Sequence, residues 1–215
     1  MAPPLLPIFV KLAGRPCLVV GAGGVGAAKI AALLEAGARV TVVAPEANRE
    51  VRELATAGKL RWQPRAFRPE DLAGQFLVIA ATPARELNHA VFAEAQTHGV
   101  LCNAVDDPPN CDFYFSAVVR RGDLQIAVST AGESPAVAQM LRNEIEAALD
   151  ESVGDWLRAV GDARREIMAS QPASEVRKRT LHLLAHTELC TDEHCSERNK
   201  IGAGHPHLHV TRSEA

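Results

Sequence analysis

A chain of 215 residues, 47% of them hydrophobic, has material for one full domain and a smaller appendage. The net charge of −3 gives no global reason to expect nucleic acid or an anionic membrane surface as a partner. No stretch reaches the roughly 18 apolar residues of a membrane span, and five cysteines, an odd number, outline no disulfide framework. Reduced thiols and a cytoplasmic setting are the expectation.

The N-terminal stretch carries no basic region ahead of its apolar residues, and Pro3, Pro4 and Pro7 interrupt it. Leu6–Val10 reads as a short edge strand, and residues 11–15 as the turn into the next one. The apolar run ending at Val20 then meets Gly21-x-Gly23-x-x-Gly26, a helical pattern carrying Ile30, Leu33 and Leu34, a stop at Gly37, and a second β-branched run over Arg39–Val43. Strand, tight turn, helix, strand is the context that gives a glycine turn a dinucleotide-binding meaning. Gly21 permits the turn, Gly23 lets the backbone approach a pyrophosphate, Gly26 lets the helix lie on the sheet, and the helix N-terminus faces the phosphates. Glu46, 20 residues after Gly26, is the candidate for the adenosine ribose and favours NAD over NADP. Arg39 and Arg49 are the nearby cations that could accept a 2′-phosphate instead.

A helix carrying Val51 and Leu54 follows, then a strand over Leu60–Gln63 with Trp62 as packing anchor, and a helical turn at Pro69–Leu72. Phe76–Ala81 is a continuous apolar run, as expected of a central parallel strand. Thr82-Pro83 leads into a helix over Ala84–Thr97 stopped by Gly99, and Val100–Val105 is the fifth strand. Alternation of strands and helices predicts an α/β fold, a doubly wound parallel sheet with its ligand crevice at the strand carboxyl ends. Asp106, at one of those ends, is placed for proton transfer.

Beyond Asp107 the texture changes. Phe113–Val119 and Leu124–Ser129 read as a hairpin joined by residues 120–123. A turn-rich loop from Ser129 leads to a helix over Pro135–Leu149, with Ser134 as N-cap and Pro135 at its first position. Val153–Met168 and Ser174–Leu184 are two further amphipathic segments, and from Glu188 the periodicity ends.

The motifs Leu6–Phe9, Cys17–Gly26 followed by Lys29, Gly37-Ala38 with Thr41–Pro45, Ala80–Thr82, Cys102–Asp106, and Ala127–Thr130 with Gly132 and Ser134-Pro135 together resemble the precorrin-2 dehydrogenase/sirohydrochlorin ferrochelatase family, which includes the N-terminal half of sirohaem synthase. The family turn usually reads Gly-Gly-Gly-x-Val-Ala, so Ala22 and Gly26 depart toward a standard Rossmann turn. The resemblance covers about residues 5–150 and weakens beyond. It implies NAD-dependent oxidation of precorrin-2 to sirohydrochlorin and, in some members, insertion of Fe²⁺ to give sirohaem, with Co²⁺ the alternative metal partner. It further implies a homodimer with a Rossmann domain, a dimerisation domain and a helical C-terminal domain, which the chain's own elements place over 1–112, 113–149 and 150–187, while the loss of periodicity makes 188–215 a flexible tail. By the same resemblance Gly24 and Val25 touch the pyrophosphate, Pro45 and Glu46 the adenosine side, and Thr82 and Asn103 the cofactor. Asp106 is the acid/base carboxylate, and Ser129, Thr130 and Ser134 form the substrate loop.

A substrate rich in carboxylates calls for cations around its pocket, and Lys11, Arg120, Arg121 and Arg142 are the candidates. Two other readings keep the glycine turn: a different NAD-dependent dehydrogenase of small substrates, and a non-catalytic module that senses NAD. In the tail, Cys190, His194, Cys195, His205, His207 and His209 are dense enough to bind a divalent cation but match no standard zinc spacing.

Overall fold

The computed structural model describes residues 5–189 and 208–210. The chain divides into two compact units, Met1–Phe115 and Ser116–Ala215. In the first, β1 (Pro16–Val20), β2 (Arg39–Val43), β3 (Arg61–Gln63), β4 (Leu77–Ala80) and β5 (Leu101–Ala104) form one parallel sheet in the order β3-β2-β1-β4-β5. Helices α1 (Gly24–Glu35), α2 (Arg49–Thr56) and α3 (Arg85–His98) make the crossovers.

Because successive side chains of a strand point to opposite faces, each central strand feeds two cores. Cys17, Val19, Val42, Leu77 and Ile79 pack with Ile30 and Leu33 of α1 and Val51 of α2. Leu18, Val20, Val78 and Ala80 pack with Val91 and Ala95 of α3 and with Leu72. The sheet is therefore covered on both sides, and its free carboxyl ends lie along one rim. Asn48 caps α2 by accepting from Val51 N–H at 2.9 Å, and Gly99 ends α3 with φ 64°. Trp62 reaches back to donate from Nε1 to the Ala44 carbonyl at 3.0 Å.

Leu6–Val10 does not become a strand. Pro7 has no N–H to offer, the sheet ends at β3 and β5, and Leu6, Ile8 and Phe9 are 81%, 68% and 69% exposed.

In the second unit β6 (Ala117–Arg121) and β7 (Leu124–Val128) form an antiparallel hairpin whose turn is Gly122-Asp123, with Gly122 at φ 57°. Arg120 and Arg121, expected in the loop, are strand residues. Helix α4 (Pro135–Ala148) follows, capped by Ser134, whose side chain accepts from Val137 N–H at 3.3 Å. Helix α5 (Val153–Ser170) starts against the hairpin turn: a Cβ on Gly154 would lie 2.9 Å from the Arg121 backbone, so only glycine permits the approach. After α6 (Glu175–Leu183), β8 (Thr187–Leu189) pairs antiparallel with β9 (Leu208–Val210). This pairing lies where the periodicity of the sequence predicts none. Among the described residues no helix is long and apolar enough to cross a membrane.

Ile79 is fully buried in β4, between β1 and β5. Ile79→Ala should destabilise the protein by about 2–5 kcal/mol, through lost transfer energy and an unfilled cavity. Urea unfolding would register this as a lower midpoint at unchanged slope, and an unchanged midpoint would mean that the first unit is not packed as described.

Candidate functional site

The rim at the strand ends is built around the turn between β1 and α1. Gly21 adopts φ 105° and its N–H continues the ladder to the Val43 carbonyl at 3.0 Å. A Cβ there would sit 2.3 Å from the Ala81 carbonyl oxygen, and one on Gly26 would sit 2.6 Å from the Gly21 oxygen. The protein's own packing therefore demands glycine at both positions. Gly23 and Gly24 differ: an added Cβ meets nothing within 4 Å, and Gly23 has an ordinary φ of −78°. Neither strain nor crowding inside the chain requires glycine at 23, so what it preserves is open space outside the chain. That space lies at the start of α1, where helix geometry leaves the N–H groups of Gly24, Val25 and Gly26 without intrahelical acceptors and no side chain caps them. An anion the size of a phosphate fits both features, and the cradle suits the pyrophosphate of a dinucleotide.

The neighbouring strand ends complete the rim. After β2, Asn48 N–H donates to the Ala22 carbonyl at 3.0 Å, which ties the Pro45–Glu46 bend to the glycine turn. Glu46 is exposed there. Of the two arginines considered for a 2′-phosphate, Arg39 begins β2, at the far end of the strand, and donates to the Gly14 carbonyl at 2.9 Å. Arg49 forms an exposed pair with Glu53 at 2.6 Å on α2. After β4, Thr82 is gripped by Asn88 of α3, which is 4% exposed. Asn88 Oδ1 accepts from Thr82 N–H at 3.1 Å and from its hydroxyl at 2.7 Å, while Asn88 Nδ2 donates to the Thr82 carbonyl at 3.0 Å. Thr82, expected as a cofactor contact, thus has its hydroxyl engaged within the protein. Sequence reasoning missed Asn88, whose one available signal was a polar residue beside the apolar positions Leu87 and Val91.

Beyond β5, Asp106 is exposed and sits at φ 59°, one of two non-glycine residues with positive φ among those described. Its carboxylate makes no hydrogen bond or ion pair among the described residues. Its neighbour does the structural work: Asp107 accepts from Asn110 Nδ2 at 2.7 Å and Asp107 O from Asn110 N–H at 2.9 Å, closing the proline turn. The chain then returns antiparallel beside β5, bridging Cys111 to Asn103. Asp112 accepts from Cys102 N–H at 2.8 Å, and buried Asn103 donates from Nδ2 to the Phe113 carbonyl at 2.8 Å and to Cys111 Sγ at 3.4 Å. Asn103, expected at the cofactor, has its amide nitrogen committed to this returning segment. The thiols are poor nucleophiles here. Burial pushes Cys17 up to about 11, and burial with the nearby Asp112 charge pushes Cys102 up to about 12.

In the second unit, Thr130 Oγ1 donates to the Ser134 carbonyl at 3.0 Å, and Ser129 Oγ accepts from Ala131 N–H at 3.2 Å, so both hydroxyls shape the loop. Two expected carboxylate anchors are engaged internally. Arg121 Nη1 pairs with Glu146 at 3.2 Å and its Nε donates to the Leu149 carbonyl, while Arg142 Nη1 pairs with Glu146 at 2.8 Å and its Nε donates to the Val118 carbonyl. They staple α4 to the hairpin. Arg120 is exposed on β6, and Lys11 is exposed on the N-terminal segment. Cys190, His194, Cys195, His205 and His207 lie outside the described residues, and His209 is described only as part of β9. Among the described residues no three metal-ligating side chains cluster.

Comparison with known proteins agrees with the fold and with a dinucleotide site in its first unit. A family described as NAD(P)-binding matches residues 8–117, more than half of the chain, and one described as the sirohaem biosynthesis protein central region matches residues 121–148. The chain is 45% identical over 162 residues to "Siroheme synthase" of Photorhabdus laumondii subsp. laumondii, a match covering 75% of this chain and 34% of that one. It is 43% identical over 173 residues to "Siroheme synthase" of Neisseria meningitidis serogroup C, covering 80% and 36%. The chain thus spans about a third of the length of these relatives. Among solved structures, "SirC, precorrin-2 dehydrogenase" superposes with a TM-score of 0.68 at 27% identity, covering 84% of this chain and 88% of that one.

Two outcomes follow from the rim. Gly23→Val should fold, since its Cβ meets nothing, yet lose tenfold or more in NAD affinity, about 1.4 kcal/mol per tenfold. Titration showing unchanged affinity would make the turn purely structural. Asn88→Leu should leave the half-buried N–H and carbonyl of Thr82 without their side-chain partner, at about 1–3 kcal/mol. Denaturation and amide exchange at Thr82 and Ala84 would report it, and wild-type values for both would show that the clamp contributes nothing.

Proposed function

The chain belongs to the family described as NAD(P)-binding, and from its likeness to the sirohaem biosynthesis central region and to sirohaem synthases we propose that it oxidises precorrin-2 to sirohydrochlorin, converting NAD⁺ to NADH with release of one proton. Bound NAD would supply the hydride acceptor. The N–H groups of Gly24 and Val25 would hold its pyrophosphate and Glu46 would take the adenosine ribose, which together favour NAD. Asp106 receives the proton lost from the tetrapyrrole. The observation that carries this assignment is the division of labour between adjacent carboxylates, Asp107 closing the turn while Asp106 stays unbonded on a left-handed backbone.

The same base could strip pyrrole N–H groups as a divalent cation enters, so Fe²⁺ insertion is the second activity to measure, with the metal as substrate. Ser129 and Thr130 remain our candidates for a substrate contact on the second unit. We further read the protein as a homodimer: Val137, Met140 and Leu141 lie on one stripe of α4 and are 42%, 50% and 37% exposed. Free thiols at Cys17, Cys102 and Cys111 support a reducing, cytoplasmic setting.

Anaerobic incubation with precorrin-2, NAD and Fe²⁺, following sirohydrochlorin and sirohaem separately, tests the reading. Asp106→Asn is the informative variant, because asparagine tolerates the left-handed backbone and loses only the charge. Turnover should fall by about 10²- to 10⁴-fold with NAD affinity and melting temperature retained, whereas wild-type turnover would return Asp106 to the status of a surface carboxylate.

A further inference from the structure

Lys29 has no part in the chemistry above, yet its placement is specific. It lies on α1 beside the buried Ala27 and Ile30 and is itself half-buried. Its ammonium sits 3.8 Å from the centroid of the Phe115 ring, a cation–π arrangement that holds the side chain in one place. The ring is in turn fixed. Phe115 meets Phe113 with the rings tilted 55° and centroids 5.8 Å apart, Phe113 packs against the first core, and the Phe113 carbonyl accepts from Asn103 at 2.8 Å. Residues from β5 and its returning segment thus build a seat for a cation carried by α1.

The seat is electrostatically incomplete. Burial pushes the Lys29 ammonium below the usual lysine range, and the negative charge of Asp106 acts to raise it again. Asp106 is therefore close enough to be felt, but no carboxylate among the described residues reaches ion-pair distance of Lys29. A partly dehydrated ammonium without a contacting counter-ion gains from an incoming anion more than a solvated surface lysine does. The anion is not the cofactor's pyrophosphate, for which the N–H groups of the first turn of α1 are available. Lys29 stands 5 residues beyond Gly24, about 7 Å further along the helix, and its ammonium lies over Phe115 within electrostatic reach of Asp106.

We propose that Lys29, seated on Phe115 beside Asp106, is the anchor for a carboxylate of the tetrapyrrole substrate and sets the edge of the macrocycle against the catalytic carboxylate. The assignment rests on the function proposed above, whose carboxylate-rich, flat substrate supplies the anion; the structure supplies the half-buried cation and the aromatic wall beside it.

The test compares Lys29→Met, which keeps an apolar stem over Phe115 without charge, with Lys29→Arg, which keeps charge. Steady-state kinetics with precorrin-2, NAD titration, and equilibrium binding of sirohydrochlorin followed by its own fluorescence give three readouts. Lys29→Met should raise the KM for precorrin-2 and the Kd for sirohydrochlorin by about tenfold, with NAD affinity unchanged, and Lys29→Arg should recover most of the loss. Unaltered KM and Kd in Lys29→Met would overturn the anchor and leave the dehydrogenase reading standing. A loss of NAD affinity instead would overturn it in favour of the pyrophosphate. If the wild type fails to oxidise precorrin-2 but binds sirohydrochlorin in a Lys29-dependent way, the activity reading falls and the anchor survives. If it does neither, both fall.

Discussion

Two missing Cβ atoms hold the first unit together at its functional end. Gly21 lets the β1–α1 turn press against the Ala81 carbonyl, and Gly26 lets α1 press against the turn itself. Much follows from this double contact. It fixes how far α1 enters the crevice, aims its uncapped N-terminus along the rim, and sets the end of β4 as a wall of the site. Side chains of ordinary size at either position would force backbone apart from backbone, which no rotamer change can relieve.

The wall needs support of its own, because chain leaving a strand end has lost its ladder partners. Asn88 and Asn103, the buried polar residues among those described, provide it. Each uses a side-chain amide as a substitute for a strand: Asn88 satisfies the main chain at Thr82, and Asn103 binds the main chain at Phe113. Loops that are irregular in outline become stiff in this way, and Thr82, Asp106 and Phe115 inherit that stiffness. Buried amides are costly unless paired, so their presence here marks positions where geometry is held at the expense of apolar packing.

Much of this was legible in the sequence, for identifiable reasons. The central strands announced themselves because a sheet covered on both faces needs apolar runs, the edge strand Arg61–Gln63 through Trp62, and the glycine turn because its spacing is tied to strand and helix on either side. The short turn at Pro69–Leu72 and the capping role of Ser134 were local matters, decided within four residues. What escaped was non-local. Leu6–Val10 has the composition of a strand but no partner edge. Arg121 and Arg142 resemble a basic rim until Glu146 is seen between them. Nothing near Asn88 or Lys29 in sequence indicates that the first will grip Thr82 or that the second will rest on Phe115. The strands at Thr187–Leu189 and Leu208–Val210 are three residues each, too short for alternation to register.

The left-handed backbone at Asp106 has a bearing on how this chain can change over generations. For most residues that conformation costs roughly 1–2 kcal/mol, and only glycine, asparagine and aspartate adopt it readily. Of these three, one carries a carboxylate. Glutamate, the usual conservative exchange elsewhere, is discouraged here by the main chain before its extra methylene matters. A lineage that drifts from aspartate at this position has easy access only to residues without a charge, so conformational scarcity by itself favours keeping the carboxylate, whatever its proposed acid–base role adds.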